Sequence, residues 1–305
     1  MEDFRKMFPT AESCYEYLIK CRWPEGFICP ECKGRSFWFK KQRSLWFCRS
    51  CRKEFSSTTG TLMYKSHIPI QEWFWAAYMV ATITPGISAL QLQRQLGIGS
   101  YRSAWYLLNR LRKGMVNENR ELLGDMIEAD ETIIGGPAKG KVGRGAVQAA
   151  FKSLVLGAVE MRVYQDKKGK THERAGRLRL YAIKHADAKT IKKFLESNVV
   201  KGSFVRTDGW RGYSKDALID YKHEKKIQGE LKAHQLAPHI HRVFSNLKTW
   251  LQGTHHGVEP KYLQGYLDEF VFRFNRRQTP MATFRSLLGI SVQKQPLTLS
   301  ALKSG

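Results

Sequence analysis

The stretch Asp125-Met-Ile-Glu-Ala-Asp-Glu-Thr-Ile-Ile-Gly135 decides how this chain is read. Its apolar residues recur with a period near two, and the run stops at Gly135-Gly136, the pattern of a strand that ends in a turn. Asp130 stands inside it. A carboxylate in an otherwise apolar strand is costly to bury unless it is paired or holds a cation. Ser203-Phe-Val-Arg-Thr-Asp-Gly209 repeats the arrangement, with Asp208 at the end of a second strand. Two such carboxylates on neighbouring strands would build a divalent-metal site of hard oxygen ligands. The alternative is that each Asp caps a turn or pairs with an arginine. Glu128 and Glu131 rival Asp130; in a regular strand Glu128 shares its face and Glu131 points to the other.

Working outward, residues 153–163 and 178–183 read as two further strands, and 187–198 has helical character. The glycine- and lysine-rich residues 135–150 read as a flexible basic loop. Three hairpin-compatible strands, a helix and another strand give an α/β order consistent with an RNase H-like sheet. Residues 262–277 form an amphipathic pattern with Leu263, Tyr266, Leu267, Phe270 and Phe274 inward. That leaves Arg273, Arg276 and Arg277 available to phosphate.

Upstream, the period changes to that of helices. Trp73, Ala76, Ala77 and Val80 share one face by helical spacing. Pro85 and Gly86 interrupt. Ser88 then opens a short helix that Gly97 stops, and Ser100 opens a longer one with Trp105, Leu108 and Leu111 inward. Arg102, Asn109, Arg110 and Lys113 would lie outward or flanking. Two helices joined by a short glycine-containing turn, the second one basic, outline a helix-turn-helix; simple helix packing is the other reading.

Nearer the N-terminus, Cys29, Cys32, Cys48 and Cys51 form two C-x2-C pairs, a spacing that reads as a structural zinc site. The aromatic and basic segment between them suits a short hairpin too small to fold without its metal. Its charge favours DNA contact over protein docking. Cys14 and Cys21 fall outside the pattern and read as packing residues.

The chain has 305 residues, 51 of them Lys or Arg and 27 Asp or Glu, for a formal charge of +24. With 42% hydrophobic residues, it is too apolar for a disordered basic tail. A folded protein with charge spread along its length suits a polyanionic partner, nucleic acid first. No signal-peptide pattern or run of eighteen apolar residues is present, so the expected location is cytoplasmic, on the nucleoid when DNA-bound, with no membrane partner.

The cysteine quartet, TGTLMYKSHIPIQEWFWA, IEADETIIGG, RTDGWRGY, SNLKTWLQGTHHGV and YLDEFVFRFNRR occur in that order. Together they resemble bacterial insertion-sequence DDE transposases with an N-terminal zinc ribbon. The resemblance covers residues 25–290. It implies an RNase H-like catalytic domain, two divalent ions (Mg²⁺ or Mn²⁺), binding to terminal inverted repeats, 3′-end cleavage and strand transfer. It also implies double-stranded DNA as partner, at the transposon ends and the target, and a homodimer or larger synaptic assembly. Asp130 and Asp208 match the first two acidic ligands. Family members often place Glu or Asn third, with Lys seven residues later. Here no Asp or Glu lies between Leu231 and Val258. His241, 33 residues after Asp208, has Lys248 seven residues on and is assigned the third metal-facing position. Lys248 is assigned to DNA phosphate; Asn246 competes with His241. Arg102, Arg110, Lys113, Arg276 and Arg277 complete the expected DNA contacts.

The expected architecture is an N-terminal helix and zinc ribbon (1–64), a helix-turn-helix-like domain (65–120), the RNase H-like catalytic domain (121–290) and a tail (291–305). A DNA-binding regulator built on a degenerate transposase is the alternative, since the third carboxylate is missing.

Overall fold

The computed structural model describes residues 2–40, 43, 45–135, 152–208, 210–225 and 237–304. They fall into two compact units, one of residues 1–117 with 278–305, the other of residues 118–277. The basic loop expected over 135–150 lies, from residue 136 on, outside the described residues.

The first unit begins with α1 (Glu2–Met7) and α2 (Ala11–Arg22). Thr10 caps α2 by accepting the Ser13 amide at 3.3 Å. Cys14 is fully buried on α2, and burial pushes its thiol up to about 11, so it packs and does not ligate. The ribbon follows as β1 (Phe37–Lys40), β2 (Leu45–Cys48) and β3 (Glu54–Ser56), an antiparallel sheet of three strands where the spacing suggested a two-stranded hairpin. β3 has only three residues, too few to show alternation. Then come α3 (Ile70–Thr82), α4 (Ala89–Leu96) and α5 (Tyr101–Lys113).

The caps read from sequence are in place. Ser88 accepts the Gln91 amide, Ser100 accepts the Ser103 amide, and Gly97 ends α4 at φ 63°. That left-handed backbone favours glycine because it has no Cβ. The sequence reading ends the C-terminal domain at residue 290, but α9 (Pro280–Ser291) belongs to the first unit. Phe284 packs among Phe4, Phe8, Phe74 and Tyr78. The expected tail is also tied in. Tyr106 donates its hydroxyl to the Leu297 carbonyl just before α10 (Leu299–Ser304). Aromatic side chains distant in sequence found one core, which local periodicity does not encode.

The second unit is mixed α/β. Its elements are β4 (Met126–Gly135), β5 (Lys152–Gln165), β6 (Thr171–Ile183), α6 (Ala188–Asn198), β7 (Phe204–Thr207), β8 (Lys222–Lys225), α7 (Pro238–His255) and α8 (Leu263–Asn275). The strand order is β6-β5-β4-β7-β8. β4–β5 and β5–β6 are antiparallel, whereas β4–β7 and β7–β8 are parallel. β8 has no signature in the sequence: Lys-His-Glu-Lys is exposed throughout and carries no apolar alternation.

Alternation along the strands builds two cores. Val155, Val159, Leu178 and Leu180 pack with Ile240, Val243, Phe244 and Leu247 of α7 and Leu263 and Leu267 of α8. Ile127, Ala129, Leu156 and Ala158 pack with Ile191, Phe194 and Leu195 of α6. Gly157 sets how closely α7 approaches. A Cβ there would lie 2.9 Å from both Leu180 Cδ2 and Phe244 Cε1. Gly157 is also the β5 residue opposite Asp130.

Candidate functional site

β4 and β7 run in parallel with Met126 beside Phe204, Ile127 beside Val205 and Glu128 beside Arg206. Continuing that register by two residues sets Asp208 alongside Asp130. Each carboxylate is oriented by a local amide. Asp130 Oδ1 accepts from the Glu131 amide at 2.8 Å, and Asp208 Oδ1 accepts from the Trp210 amide at 2.9 Å. Neither bond uses the second oxygen. Asp130 is only 6% exposed. Burial foremost, then the negative charges of Glu131, Asp208 and Glu128, push its carboxyl up to about 7, against one lowering contact from the Glu131 amide.

Glu131 turns away from Glu128, as strand alternation requires. Its Oε2 accepts from the Tyr213 hydroxyl at 3.2 Å, and burial and Asp208 raise its carboxyl. Burial and the surrounding carboxylates hold the Tyr213 hydroxyl far above its ordinary range, so it serves as a neutral donor.

α7 lies on the Glu128 and Asp130 face of the sheet. His241 Nε2 is 3.5 Å from Asp130 Oδ2. Lys248, seven residues on, falls within about 20° of His241 around the helix, and Asn246 about 140° away, at 100° per residue. Lys248 and Asn246 are both exposed. Asp130 and His241 are thus in contact, Asp208 lies beside Asp130 by register, and Lys248 extends the His241 face.

Glu128 has a different task from the one its spacing suggested. It is fully buried, and its Oε2 accepts from the amides of His239 at 2.7 Å and Ile240 at 3.0 Å. The N-cap residue of α7 is Ala237, which has no capping group, and Pro238 has no amide hydrogen. A carboxylate from β4 therefore caps the helix from across the sheet, where the helix dipole favours negative charge. Arg206 Nη1 sits 3.7 Å from Glu128 Oε1. Nothing local in the sequence marks this cap, since 109 residues separate Glu128 from Ala237. Glu128→Ala is expected to destabilise the protein by about 3 kcal/mol, because two buried amides lose their acceptor and Arg206, which keeps Glu224, loses a nearby opposite charge. Glu128→Gln keeps an acceptor and should restore part of that, as read by urea unfolding.

In the ribbon, the four cysteine sulfurs lie within 4.8 Å of one another. Cys29 and Cys51 approach to 3.6 Å, as do Cys32 and Cys48. Among the described residues, this is the one group of three or more Cys, His, Asp or Glu donors that converges so closely. The two knuckles are built alike. Lys33 and Arg52, each four residues after its first cysteine, donate their amides to Cys29 and Cys48 carbonyls at φ near 60°. Backbone amides, that of Cys51 first, hold the Cys48 thiol down at about 6. Cys51 goes the other way: although the Lys53 amide favours its thiolate, burial and the neighbouring sulfurs push it up to about 12. Four thiolates so close repel one another until a cation sits among them, which fits tetrahedral zinc.

The proposed DNA contacts divide. Arg102 and Lys113 are exposed on α5. Arg110 is not. It is 4% exposed, donates to the Tyr64 carbonyl at 2.6 Å, and lies over the Trp73 and Tyr106 rings. Its neighbour Asn109 is also buried, donating to the Trp105 carbonyl. Both were expected to lie outward or flanking; amphipathic spacing cannot foresee a buried polar group satisfied by backbone carbonyls. Arg276 folds over Phe272, and Arg277 donates to the Phe274 and Ala175 carbonyls. Arg277 remains exposed, Arg276 only in part.

The chain thus combines a four-cysteine ribbon with a mixed α/β domain whose carboxylates gather at adjacent strands. Sequence comparison gives the class, a transposase. A transposase zinc-ribbon domain matches residues 9–54, and an ISXO2-like transposase domain matches residues 121–275. The chain belongs to the ISXO2-like transposase family. It is also 23% identical over 281 residues to an uncharacterized protein in transposable element ISH50 of Halobacterium salinarum. That alignment spans 88% of this chain and 92% of the other. Among the described residues, no helix is long and apolar enough to cross a membrane.

Proposed function

We propose that the protein binds the terminal inverted repeats of an insertion sequence and catalyses metal-dependent 3′-end cleavage and strand transfer. The observation that carries this reading is the parallel β4–β7 register that brings Asp130 beside Asp208, with His241 on the same side. The strand order β6-β5-β4-β7-β8 with helices on both faces supports an RNase H-like catalytic domain. α4 and α5, joined through Gly97 and Gly99, support a helix-turn-helix role, with Arg102 and Lys113 toward DNA.

The donor set suits hard divalent cations: burial first, and then the neighbouring carboxylates, raise Asp130 to about 7, and a bound cation would relieve that cost. Asp130 and Asp208 would hold Mg²⁺ or Mn²⁺, with His241 as the third metal-facing residue; its softer nitrogen favours Mn²⁺. Bound there, the ions would activate a nucleophile and neutralise charge on the scissile phosphate. Lys248 holds the DNA phosphate. Water attacks the phosphorus at the transposon end, and the bond to the 3′ oxygen breaks to free a 3′-hydroxyl. That hydroxyl then attacks a target phosphodiester in the same way, releasing a target 3′-hydroxyl.

Incubating the protein with flanking end DNA and Mg²⁺ or Mn²⁺, then sequencing the products, tests this. Cleaved 3′ ends followed by joined products are expected. Binding without any cut would instead identify a degenerate, DNA-binding regulator. His241→Ala should lose most cleavage while Asn246→Ala keeps it; full activity in the former would remove His241 from the site.

A pH experiment reads the same cluster without DNA. Asp130 ionises near 3.8 when unfolded and near 7 when folded. Between those values the folded, Mg²⁺-free protein holds a proton that the unfolded chain lacks, so this group's contribution makes stability fall as pH rises from about 4 to 7. Mg²⁺ competes with that proton. Its stabilisation of the wild type should therefore grow across the same window and level off above about pH 7. Comparing melting temperatures of wild type and Asp130→Asn, with and without Mg²⁺ and with the ribbon zinc kept, isolates the effect. A wild-type Mg²⁺ increment independent of pH would contradict it.

A further inference from the structure

β5 and β6 continue their pairing to a largely exposed end of the sheet. Past a bulge between Val159 and Met161, Met161 opposes Ala175, Arg162 opposes Arg174, Val163 opposes Glu173, Tyr164 opposes His172 and Gln165 opposes Thr171. The apolar patterns of residues 153–163 and 178–183 mark only the inner parts of these strands, and the pairing runs on, as an arm, to Gln165 and Thr171. Met161 and Ala175 still meet the core, but beyond them most residues are exposed and lack the apolar alternation of a half-buried strand. Val163 is 57% exposed and Tyr164 43%.

The base of the arm is clamped. At the bulge, Glu160 is buried and accepts from the Gly124 amide at 3.1 Å, the Arg177 amide at 3.1 Å and Arg177 Nε at 3.0 Å. Gly176 is required there, since a Cβ would lie 2.9 Å from Glu160 Cβ and 3.0 Å from Arg162 Nε. A bulge increases twist and re-aims the strands beyond it. The tip is equally organised. Asp166 Oδ1 accepts the Lys168 amide at 2.8 Å and the Lys170 amide at 3.0 Å, its Oδ2 meets His172 Nε2 at 2.9 Å, and Gly169 turns the chain at φ 77°. Tyr164 stacks on His172, and Arg174 lies over Tyr164.

This order displays mostly positive charge. Residues 161–175 carry Arg162, Lys167, Lys168, Lys170 and Arg174 against Asp166 and Glu173. Asp166 holds the turn, and Glu173, half exposed, lies 3.8 Å from His239, so the tip itself presents three lysines. Lys167, Lys168 and Lys170 are exposed together at the tip. A two-stranded ribbon fits the DNA major groove, about 12 Å wide. The exposed two-stranded shape, the preorganised lysine turn and the excess of positive charge match a duplex phosphate backbone. We propose that the β5–β6 arm, through residues 162–174, is a DNA-gripping β-ribbon with its lysine tip on duplex phosphates. This rests on the reading of the protein as a DNA-handling transposase.

The test measures binding of the full chain to a duplex carrying its flanking end, across a salt series, for wild type and Lys167→Gln/Lys168→Gln/Lys170→Gln. All three positions are exposed, and an unchanged melting temperature shows that the triple variant is folded. Each phosphate contact contributes a slope of about 0.9 in log K against log salt, so losing three should flatten the slope by about 2.7 and weaken binding about 10²-fold near 0.15 M salt. Tyr164→Ala, which removes an exposed ring, should weaken binding without flattening the slope. The control Lys189→Gln/Lys192→Gln/Lys193→Gln removes equal charge from α6 and should cost far less. A triple variant matching wild type in affinity and slope overturns the arm's role alone, as does a control that loses as much. No salt-dependent binding by the wild type would overturn both the arm and the transposase reading.

Discussion

Asn in place of Asp130 or Asp208 is expected to lower 3′-end cleavage by about 10³-fold or more, equivalent to at least about 4 kcal/mol of barrier. Affinity for end DNA should stay within about twofold. Extending the parallel β4–β7 register past Glu128 and Arg206 brings the two residues side by side, and each has one oxygen committed to a local amide. Replacing either side chain by an amide keeps that local bond and the volume but removes the negative charge that a divalent cation needs. Because Asp130 is buried among like charges, Asp130→Asn should also raise the melting temperature at pH 8 in the absence of Mg²⁺. Cleavage and end binding measured on the same preparations decide the matter. Parallel loss of both in a folded variant would assign these residues to DNA binding and not to chemistry.

Cys48→Ser is expected to unfold the ribbon locally. Its core is small: Trp23, Phe27 and Phe55 with the buried sulfurs of Cys29 and Cys48, and Trp46 packed alongside. Phe27 stacks on Trp46 at 5.0 Å, and Trp23 meets both rings edge-on. So little apolar area cannot offset the chain entropy of three short strands and two knuckles, and structural zinc supplies about 10 kcal/mol or more in sites of this kind. The variant should lose its zinc, and the emission of Trp23 and Trp46 should shift to the red as the rings meet water. A strong chelator should have the same effect on the wild type. Unchanged emission after zinc removal would show that the aromatic cluster holds the ribbon by itself.

The sequence shows some parts of this protein because they depend on neighbours in the chain. Ser88, Gly97 and Ser100 bound their helices through contacts three or four residues away, and the two C-x2-C pairs need only a tight turn each. Asp130 stands out as an acid inside an apolar strand, and Asp208 as one at the end of another. Arg110 shows the limit. Its helical position suggested a surface, and its burial depends on the Tyr64 carbonyl and the rings of Trp73 and Tyr106. The β5–β6 arm escaped notice for the opposite reason: its strands are held by backbone pairing and a bulge, with no core face to impose alternation.

By itself, then, the sequence determined the ribbon's ligands, the helix caps and the two strand-borne aspartates, since each is a matter of short-range spacing and periodicity. Tertiary structure alone decided that the aspartates are neighbours, because a parallel register joins strands about 78 residues apart, 126 to 204. It also decided that Glu128 caps α7 and so holds His241 at Asp130. A helix whose own N-cap is alanine takes its capping charge from whatever strand it packs against, and only the packed fold says which strand that is.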